Sequence, residues 1–197
     1  MPGDMLRIGG ACGFWGESAD VALAQLMGPG AGTLDAIVFD YLAEITLSIM
    51  ARARAKDPAL GYATDFPRDL APHLPEIARR GLRIVSNAGG VNPAACAARL
   101  REAIAEAGLA QRVAVVTGDD LSARAADFAE AREMFSGAPF PPAGAVASIN
   151  AYLGAVPIAE ALAHADIVVT GRCADSALVL GLCLHRFGWG ADELDRL

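Results

Sequence analysis

Lysine is almost absent from this chain of 197 residues, because Lys56 is its only lysine and the other Lys/Arg positions are arginines. Pyridoxal phosphate enzymes hold their cofactor on a lysine, and P-loop NTPases place one directly after a glycine-rich loop. Lys56 lies in a predicted helix and follows no such loop. Neither class is therefore expected. The Tyr and Lys pair of short-chain dehydrogenases, four residues apart, is also missing.

Cysteine and histidine are scarce as well. The four cysteines are Cys12, Cys96, Cys173 and Cys183, and the three histidines are His73, His164 and His185. They form no CxxC pair and no metal-ligand spacing, so no zinc or redox motif is predicted. The histidines fall in predicted helices or at their ends, and neither GxSxG nor HExxH occurs. A histidine-driven mechanism is not expected.

Positive charge and long apolar runs are also lacking. The formal net charge of -7 argues against nucleic acid or an anionic membrane as a partner. No apolar run approaches the roughly 20 residues of a membrane span, and no signal peptide is evident. With 54% hydrophobic and 20% charged residues, the chain is typical of a globular protein. We expect one domain over residues 1–197, a cytoplasmic location and a small-molecule substrate.

What the chain does have is short apolar runs alternating with helical segments. The predicted strands are 6–10, 36–39, 83–86, 113–117, 145–149 and 167–170. The predicted helices are 19–27, 42–56, 75–80, 93–107, 122–134, 157–164 and one ending near 187. Residues 57–75 are predicted to be a surface excursion, and the proline- and glycine-rich 136–144 a lid or an edge loop. This alternation predicts an α/β fold with a largely parallel, doubly wound sheet and helices on both faces.

The stretch from Arg83 to Pro93 is the clearest of these units. An apolar strand is followed by Asn87-Ala-Gly-Gly-Val, and Asn92 and Pro93 suit the cap and first position of a helix. The free N–H groups of a first helical turn bind anionic or carbonyl oxygens, and Gly89 and Gly90 let a ligand approach the backbone. A βα turn that merely requires glycine is the alternative.

Polar residues follow the other strands too, and parallel sheets bind ligands at the carboxyl ends of their strands. Cys12 and Asp40 also lie at this end. The predicted substrate-binding residues are Gly13, Ser18, Asn87, Gly89, Gly90, Asn92, Asn150, Tyr152 and Asp175. Their convergence, rather than any single motif, predicts a ligand site.

Three residues are predicted to carry the chemistry. Asp119 and Asp120 are adjacent carboxylates at a strand end, suited to a general base or to Mg²⁺, although one of them is expected to cap the next helix. Arg172 is predicted to clamp a carboxylate or phosphate; an ion pair with Asp175 that fixes the loop is the alternative. Without a nearby histidine, Cys12 and Cys173 are weak candidates for a nucleophile.

A dinucleotide site is the second functional class. Gly9, Gly13 and Gly16 follow the first strand, and Asp40 ends the second where a ribose-binding acid would lie. The spacing is not GxGxxG, and Phe14 and Trp15 add bulk beside the expected pyrophosphate. An NAD(P)-dependent oxidoreductase stays an alternative.

Six motifs in order resemble the acyclic terpene utilisation (AtuA-like) family, once catalogued as a domain of unknown function. They are Ile8-Gly-Gly-Ala-Cys-Gly-Phe-Trp-Gly-Glu-Ser, Phe39-Asp-Tyr-Leu-Ala-Glu, Asn87-Ala-Gly-Gly-Val-Asn-Pro, Gly118-Asp-Asp, Asn150-Ala-Tyr-Leu-Gly and Ile167-Val-Val-Thr-Gly-Arg-Cys-Ala-Asp-Ser-Ala-Leu. The resemblance runs from about residue 6 to the end. One departure is Glu17, where the family usually has Asp.

The resemblance implies a role in bacterial degradation of citronellol, geraniol and related branched acids as coenzyme A thioesters, for which a lyase role has been suggested. We therefore expect a lyase-type carbon–carbon cleavage or an enolate reaction; a non-catalytic binding or assembly domain is the alternative. The family normally continues beyond residue 197, so the chain is expected to be an N-terminal part. A homo-oligomer, or a partner supplying the remainder, is expected with it.

Overall fold

A five-stranded parallel sheet forms the centre of the computed structural model, which describes residues 5–29, 32–190 and 192–196. The strands are β1 (Ile8–Cys12), β2 (Ala36–Phe39), β3 (Arg83–Ser86), β4 (Val113–Val116) and β5 (Ile167–Thr170). Their order is β1-β2-β3-β5-β4, and the register aligns Ile37, Ile84 and Ile167 across the three central strands. The predicted α/β class is confirmed.

Helices cover both faces of the sheet. They are α1 (Ala19–Met27), α2 (Glu44–Lys56), α3 (Asp65–Leu70), α4 (Leu74–Arg80), α5 (Pro93–Glu106), α6 (Val156–Leu162) and α7 (Asp175–Phe187). The predicted N-caps of α1 and α5 are confirmed, since Ser18 accepts from the Val21 N–H and Asn92 from the Ala95 N–H. Among the described residues, no helix has the length and apolar character needed to cross a bilayer.

The strand order places the helices in two groups. From β1 to β4 the chain steps in one direction across the sheet, and α1 to α5 pack on one face around Phe39, Ile84 and Leu100. It then turns back to insert β5 between β3 and β4, so α6 and α7 pack on the opposite face around Val168 and Leu178. Right-handed crossovers require this change of face. The order of the strands therefore reverses beside β3 and β5.

Residues 57–75 are not the surface excursion that the prolines suggested. Phe66, Leu70 and Leu74 are fully buried, and Phe66 packs edge-on against Phe39 and Tyr41. Proline is tolerated in the first turn of a helix because its missing N–H would have no intrahelical partner there. Pro67, Pro72 and Pro75 lie in the first turns of α3, of a 3₁₀ helix (Ala71–His73) and of α4, while Pro58 lies in a turn.

Two further predictions between β4 and α6 are wrong. The helix predicted over 122–134 is only a 3₁₀ segment, Ser122–Phe128, in which no residue is buried. Good helix propensity without an apolar face to bury does not sustain a helix. Residues 145–149 form no strand; the Ile149 carbonyl instead accepts from the Leu121 N–H, so this segment pairs with the loop after β4.

The loop between β3 and α5 is tied to residues 58–63. Asn92 Nδ2 donates to the carbonyls of Pro58 (3.0 Å) and Leu60 (2.8 Å), and the Val91 N–H donates to the Gly61 carbonyl (2.9 Å). Gly90 has a left-handed φ of 53°, and a Cβ there would lie 2.3 Å from Met50 Sδ and 2.7 Å from the Gly61 carbonyl oxygen. Both its conformation and its surroundings require glycine.

We predict that Gly90→Ala destabilises the protein by about 3 kcal/mol or more, because overpacking adds to the left-handed strain. Gly81→Ala is the matched control, since Gly81 is also left-handed (φ 65°) but a Cβ there meets nothing within 4 Å. It should cost only about 1–2 kcal/mol. Urea denaturation measures both, and equal losses of stability would contradict the packing argument.

Candidate functional site

The loops after β3 and β5 meet where the strand order reverses, which is where open α/β sheets bind ligands. The Gly89 N–H donates to the Thr170 carbonyl (3.1 Å) and so joins the two loops. Asn87 is fully buried; its Oδ1 accepts from the Tyr41 N–H (2.6 Å) and its Nδ2 donates to Asp40 Oδ1 (2.6 Å). This one side chain fixes the loops that follow β2 and β3.

Arg172 is the most strongly anchored charge at this end of the sheet. It is only 5% exposed, and its Nη1 donates to the Leu42 carbonyl (2.7 Å). Its Nη2 donates to Glu44 Oε1 (3.0 Å) and to the Tyr152 hydroxyl (2.5 Å), and the guanidinium carbon lies 4.2 Å from the centre of the Tyr152 ring. The ion pair that this structure gives Arg172 is with Glu44, not with Asp175 as the alternative prediction had it.

Glu44 begins α2 and reaches back over this arginine. Its side chain is 80% exposed, and its Oε1 also accepts a short hydrogen bond from the Tyr152 hydroxyl. That bond, together with the Glu44 backbone N–H and the charge of Arg172, lowers the pKa of Glu44. The carboxylate is therefore ionised at neutral pH, where it interacts favourably with the positive end of α2.

Asp119 positions the backbone of Arg172. It is 3% exposed, and its Oδ2 accepts from the Arg172 N–H (2.8 Å) and from Asn150 Nδ2 (2.9 Å). A Cβ on Gly171 would lie 2.4 Å from the same oxygen, so glycine is required there. A carboxylate bonded in this way is a positioning group. The predicted role of Asp119 as the base is not what its hydrogen bonds favour.

Asp120 turns away from Asp119. Its Oδ1 accepts from the Ser122 N–H (2.9 Å), which opens the 3₁₀ segment, and its Oδ2 lies 3.5 Å from Arg54 Nη1. Partial burial acts to raise the pKa of Asp120, but the hydrogen bonds to Ser122 and the pairing with Arg54 outweigh it and lower the pKa.

Within the described ranges, no three carboxylate, thiol or imidazole side chains come together as metal ligands.

A groove runs between α2 and the loop at 147–152. One cavity of about 180 Å³ is lined by Glu44, Leu47, Ser48, Ser148, Asn150, Tyr152 and Arg172. A second, of about 320 Å³, is lined by Ala51, Arg54, Ala55, Val91, Asp120, Ser122, Ala147 and Ser148. The two cavities share Ser148. The groove therefore brings together four of the predicted site residues, Asp120, Asn150, Tyr152 and Arg172.

Of the nine predicted substrate-binding residues, Asn150 and Tyr152 line these cavities and seven do not, namely Asn87, Asp175 and the five residues that follow. The Gly13 N–H donates to Glu17 Oε2 (2.9 Å), Ser18 caps α1, and Asn92 holds the 58–60 segment. The N–H groups of Gly89 and Gly90 donate to the carbonyls of Thr170 and Asn87. These two N–H groups are engaged by the protein itself, so the expectation that they bind a ligand oxygen is corrected: close packing requires the glycines.

The first loop does not have the arrangement of a dinucleotide site. In the Rossmann order β1 is central and its loop opens the crevice, whereas here β1 is an edge strand. The Gly13 N–H, which a bound pyrophosphate would need as a donor, already donates a hydrogen bond to the Glu17 carboxylate. The geometry therefore gives the oxidoreductase alternative no support.

Asp40 differs from Glu44 and Asp120 because the pKa of its carboxyl group is raised and not lowered. Partial burial raises its pKa, the negative charge of Asp175 adds to the rise, and the hydrogen bond from Asn87 and the charge of Arg172 oppose it. A carboxyl group with a raised pKa at the ligand-binding end of a sheet is suited to proton transfer. The exposed Asp175 thus acts on the site through its charge.

The thiols are protonated and poor nucleophiles. Burial raises the pKa of Cys173 to about 11 and also raises the pKa of Cys12. The thiolate is the reactive form of cysteine. Covalent catalysis by either residue is disfavoured, as the sequence predicted from the absence of a neighbouring histidine.

Sequence reasoning did not anticipate the raised pKa of Asp40 and missed Glu44 altogether. Both lie in the motif Phe39-Asp-Tyr-Leu-Ala-Glu, in which Asp40 was considered as the ribose-binding acid of the dinucleotide alternative. The signal was the position of an acid directly after a fully buried strand and a second acid at the start of the following helix.

We predict that Asp40→Asn flattens the dependence of stability on pH. A raised folded-state pKa means that Asp40 stabilises the fold below the ordinary aspartate pKa of about 4, and that this contribution is lost as pH rises through the raised value. The asparagine resembles the protonated acid, so the variant should be the more stable protein at neutral pH, with the difference vanishing in acid.

Chemical denaturation between pH 3 and pH 8 measures this difference, and ¹³C NMR of the carboxyl carbon follows the titration directly. Asp175→Asn is the control, since removing its charge should move the Asp40 titration to lower pH. Identical pH profiles for the wild type and Asp40→Asn would contradict the assignment.

Comparisons with known proteins give one match. The family model described as "Acyclic terpene utilisation family protein AtuA" matches residues 6–197. No curated protein and no solved structure matches the chain. Because the family match covers nearly the whole sequence and confirms the resemblance of the six motifs, the chain belongs to the acyclic terpene utilisation family.

Proposed function

We propose that this chain serves acyclic terpene utilisation by binding a branched acyl thioester that carries a free carboxylate. The observation that supports it is the pairing of a 5% exposed guanidinium, Arg172, with an 80% exposed carboxylate, Glu44, in the wall of a cavity. In this proposal the substrate carboxylate takes the place of Glu44 on Arg172 and Tyr152.

The exchange is favourable because the two partners are held so differently. The Leu42 carbonyl and the Tyr152 ring fix the guanidinium, whereas the Glu44 side chain is held only through the hydrogen bonds of its carboxylate. Ion pairs with an exposed partner contribute about 0–1 kcal/mol. A ligand carboxylate that binds Arg172 in bidentate fashion offsets that loss.

The second cavity suits the branched hydrocarbon part of such a ligand. Ala51, Ala55, Val91 and Ala147 give it an apolar wall, and Ser148 connects it to the carboxylate end. Burial of apolar area supplies about 25 cal/mol per Å². Small side chains on this wall leave room for methyl branches.

We propose further that Asp40 takes up a proton in an enolate reaction. The Asp40 carboxylate removes the proton on the carbon next to the thioester carbonyl, and the electron pair of that C–H bond moves onto the carbonyl oxygen. A carbon–carbon cleavage would start or end at the same enolate.

Binding is tested with two thioesters that differ in one group, 3-methylglutaryl-CoA and isovaleryl-CoA. We predict that the free carboxylate of the former gives the tighter complex and that Arg172→Gln weakens it about 10- to 100-fold, as expected for a hydrogen-bonded charge. Isothermal titration calorimetry measures both ligands. Equal affinity for the two thioesters would overturn the proposal.

Two further variants keep this test interpretable. Arg52→Gln removes an exposed arginine of α2 outside the groove and should change neither affinity. Glu44→Gln should tighten 3-methylglutaryl-CoA binding, because it removes the carboxylate that the ligand must displace. A loss of affinity in both Arg172→Gln and Glu44→Gln would indicate structural damage instead of a ligand subsite.

The enolate step has its own measurement. We predict that the protein catalyses exchange of the 2-position hydrogens of 3-methylglutaryl-CoA with D₂O, followed by ¹H NMR, and that Asp40→Asn lowers the rate by about 10²- to 10⁴-fold. Binding without exchange would leave a binding or assembly domain as the function. A cytoplasmic location and a homo-oligomeric or partner-completed assembly stay predictions.

A further inference from the structure

A second cavity system lies at the opposite end of the sheet from the groove. It has a volume of about 240 Å³ and is called here the basic cavity; its lining residues are Leu6, Leu34, Asp35, Ala36, Arg80, Gly81, Arg83, Leu182, His185 and Arg186. These residues come from the amino ends of β2 and β3, from the segment before β1, and from the last turns of α4 and α7. None of them belongs to the site described above.

Two of its arginines are held rigidly by backbone carbonyls. Arg80 Nη2 donates to the Met27 carbonyl (2.8 Å), and Arg83 Nη1 donates to the Ala165 carbonyl (2.5 Å). Each also has one carboxylate partner, Glu76 for Arg80 and Asp166 for Arg83. An arginine fixed in this way forms part of a preformed wall and loses little further freedom when a ligand binds.

Arg186 differs from both. Its Nε is buried and has no hydrogen-bond partner, and no ion pair to it occurs among the residues that the structure describes. A buried donor without a partner is destabilising, and more so when it is charged. The Arg186 guanidinium thus has donor capacity that the described residues do not use.

Helix ends account for part of the positive charge. Arg80 lies in the last turn of α4 and donates to the carbonyl of Met27, the last residue of α1, and Arg186 lies in the last turn of α7, where basic residues complement the helix dipole. Arg83 lies on β3 and serves no helix end. The acidic residue of the lining, Asp35, already accepts the Arg7 N–H at its Oδ2 (2.8 Å). Burial and then the charge of Arg83 lower the pKa of His185, which is consistent with a positive field.

We propose that the basic cavity is a second binding site, separate from the acyl site, for a small anion that carries a phosphate group. Phosphate presents more oxygens than a carboxylate and so has acceptors for three separate guanidinium groups, which here come from Arg80, Arg83 and Arg186. The volume is below the roughly 300–1,000 Å³ of sites for drug-sized ligands. The ligand is therefore phosphate itself or a small phosphomonoester.

Isothermal titration calorimetry of the full chain with inorganic phosphate, at constant ionic strength, tests the site. The expected result is saturable binding that Arg186→Gln weakens at least tenfold, with Arg52→Gln unchanged. Methyl phosphate separates the two sources: binding of both ligands assigns the site to phosphomonoesters, and binding of inorganic phosphate alone assigns it to the free ion. The absence of saturable binding in the wild type would overturn the proposal, as would equal binding by Arg186→Gln.

Thermal denaturation provides a second readout. Phosphate stabilises proteins generally by exclusion from their surface. The site therefore accounts only for the part of the phosphate-induced rise in melting temperature that is lost in Arg186→Gln and retained in Arg172→Gln. Loss of the shift in Arg172→Gln, with the shift kept in Arg186→Gln, would place the anion at the acyl site and overturn the separate one. Arg83→Gln is the supporting variant, since it removes another guanidinium that lines the basic cavity and leaves the groove unchanged.

Discussion

The buried charge of Arg172 is the constraint on which the candidate site depends. A guanidinium removed from water needs hydrogen-bond acceptors for its N–H groups, and the residues around Arg172 supply them. The Leu42 carbonyl, the Tyr152 hydroxyl and Glu44 surround the side chain, while Asp119 takes the backbone N–H. Tyr152, Asp119 and Asn150 are drawn together by this one residue. These hydrogen bonds connect the loops that follow β2, β4 and β5.

The position of this cluster follows from the path of the chain. The loops after β3 and β5 lead to helices on opposite faces, so they diverge beyond the contact between Gly89 and Thr170. A parallel sheet opens a crevice wherever this happens. Arg172 and Asn87 occupy its two sides, and α2 provides the outer wall of the groove. The position of the candidate site is thus set by topology first and by side chains second.

Much of the fold could be predicted from the sequence because local and global signals agree there. The fully buried runs Ala36–Phe39 and Ile167–Thr170 are strands by composition, and Ser18 and Asn92 mark helix starts by their own side-chain chemistry. The errors lie where burial decides. Residues 57–75 appeared polar, yet Phe66 enters the core, and residues 122–134 favour a helix that finds no apolar surface to cover.

The clustering of the candidate residues was predictable, but their individual contacts were not. Polar residues at the strand ends indicated one end of the sheet, and Arg172 lies at the centre of the cluster that the structure shows there. Whether an N–H group is available depends on long-range contacts, which is why Gly89 and Gly90 were assigned to a ligand when Thr170 and Asn87 already use them. The contact between Glu44 and Arg172 spans 128 residues of sequence and has no local signature.

The reach of Glu44 sets a threshold for any ligand. A carboxylate held by the first turn of a helix beside its partner acts as an intramolecular competitor, with an effective concentration commonly in the millimolar range. In the proposed function, a free carboxylate must compete with this internal acid before it occupies Arg172, whereas a thioester gains further contact along the groove. Selectivity for size would then arise from an acid of the protein itself.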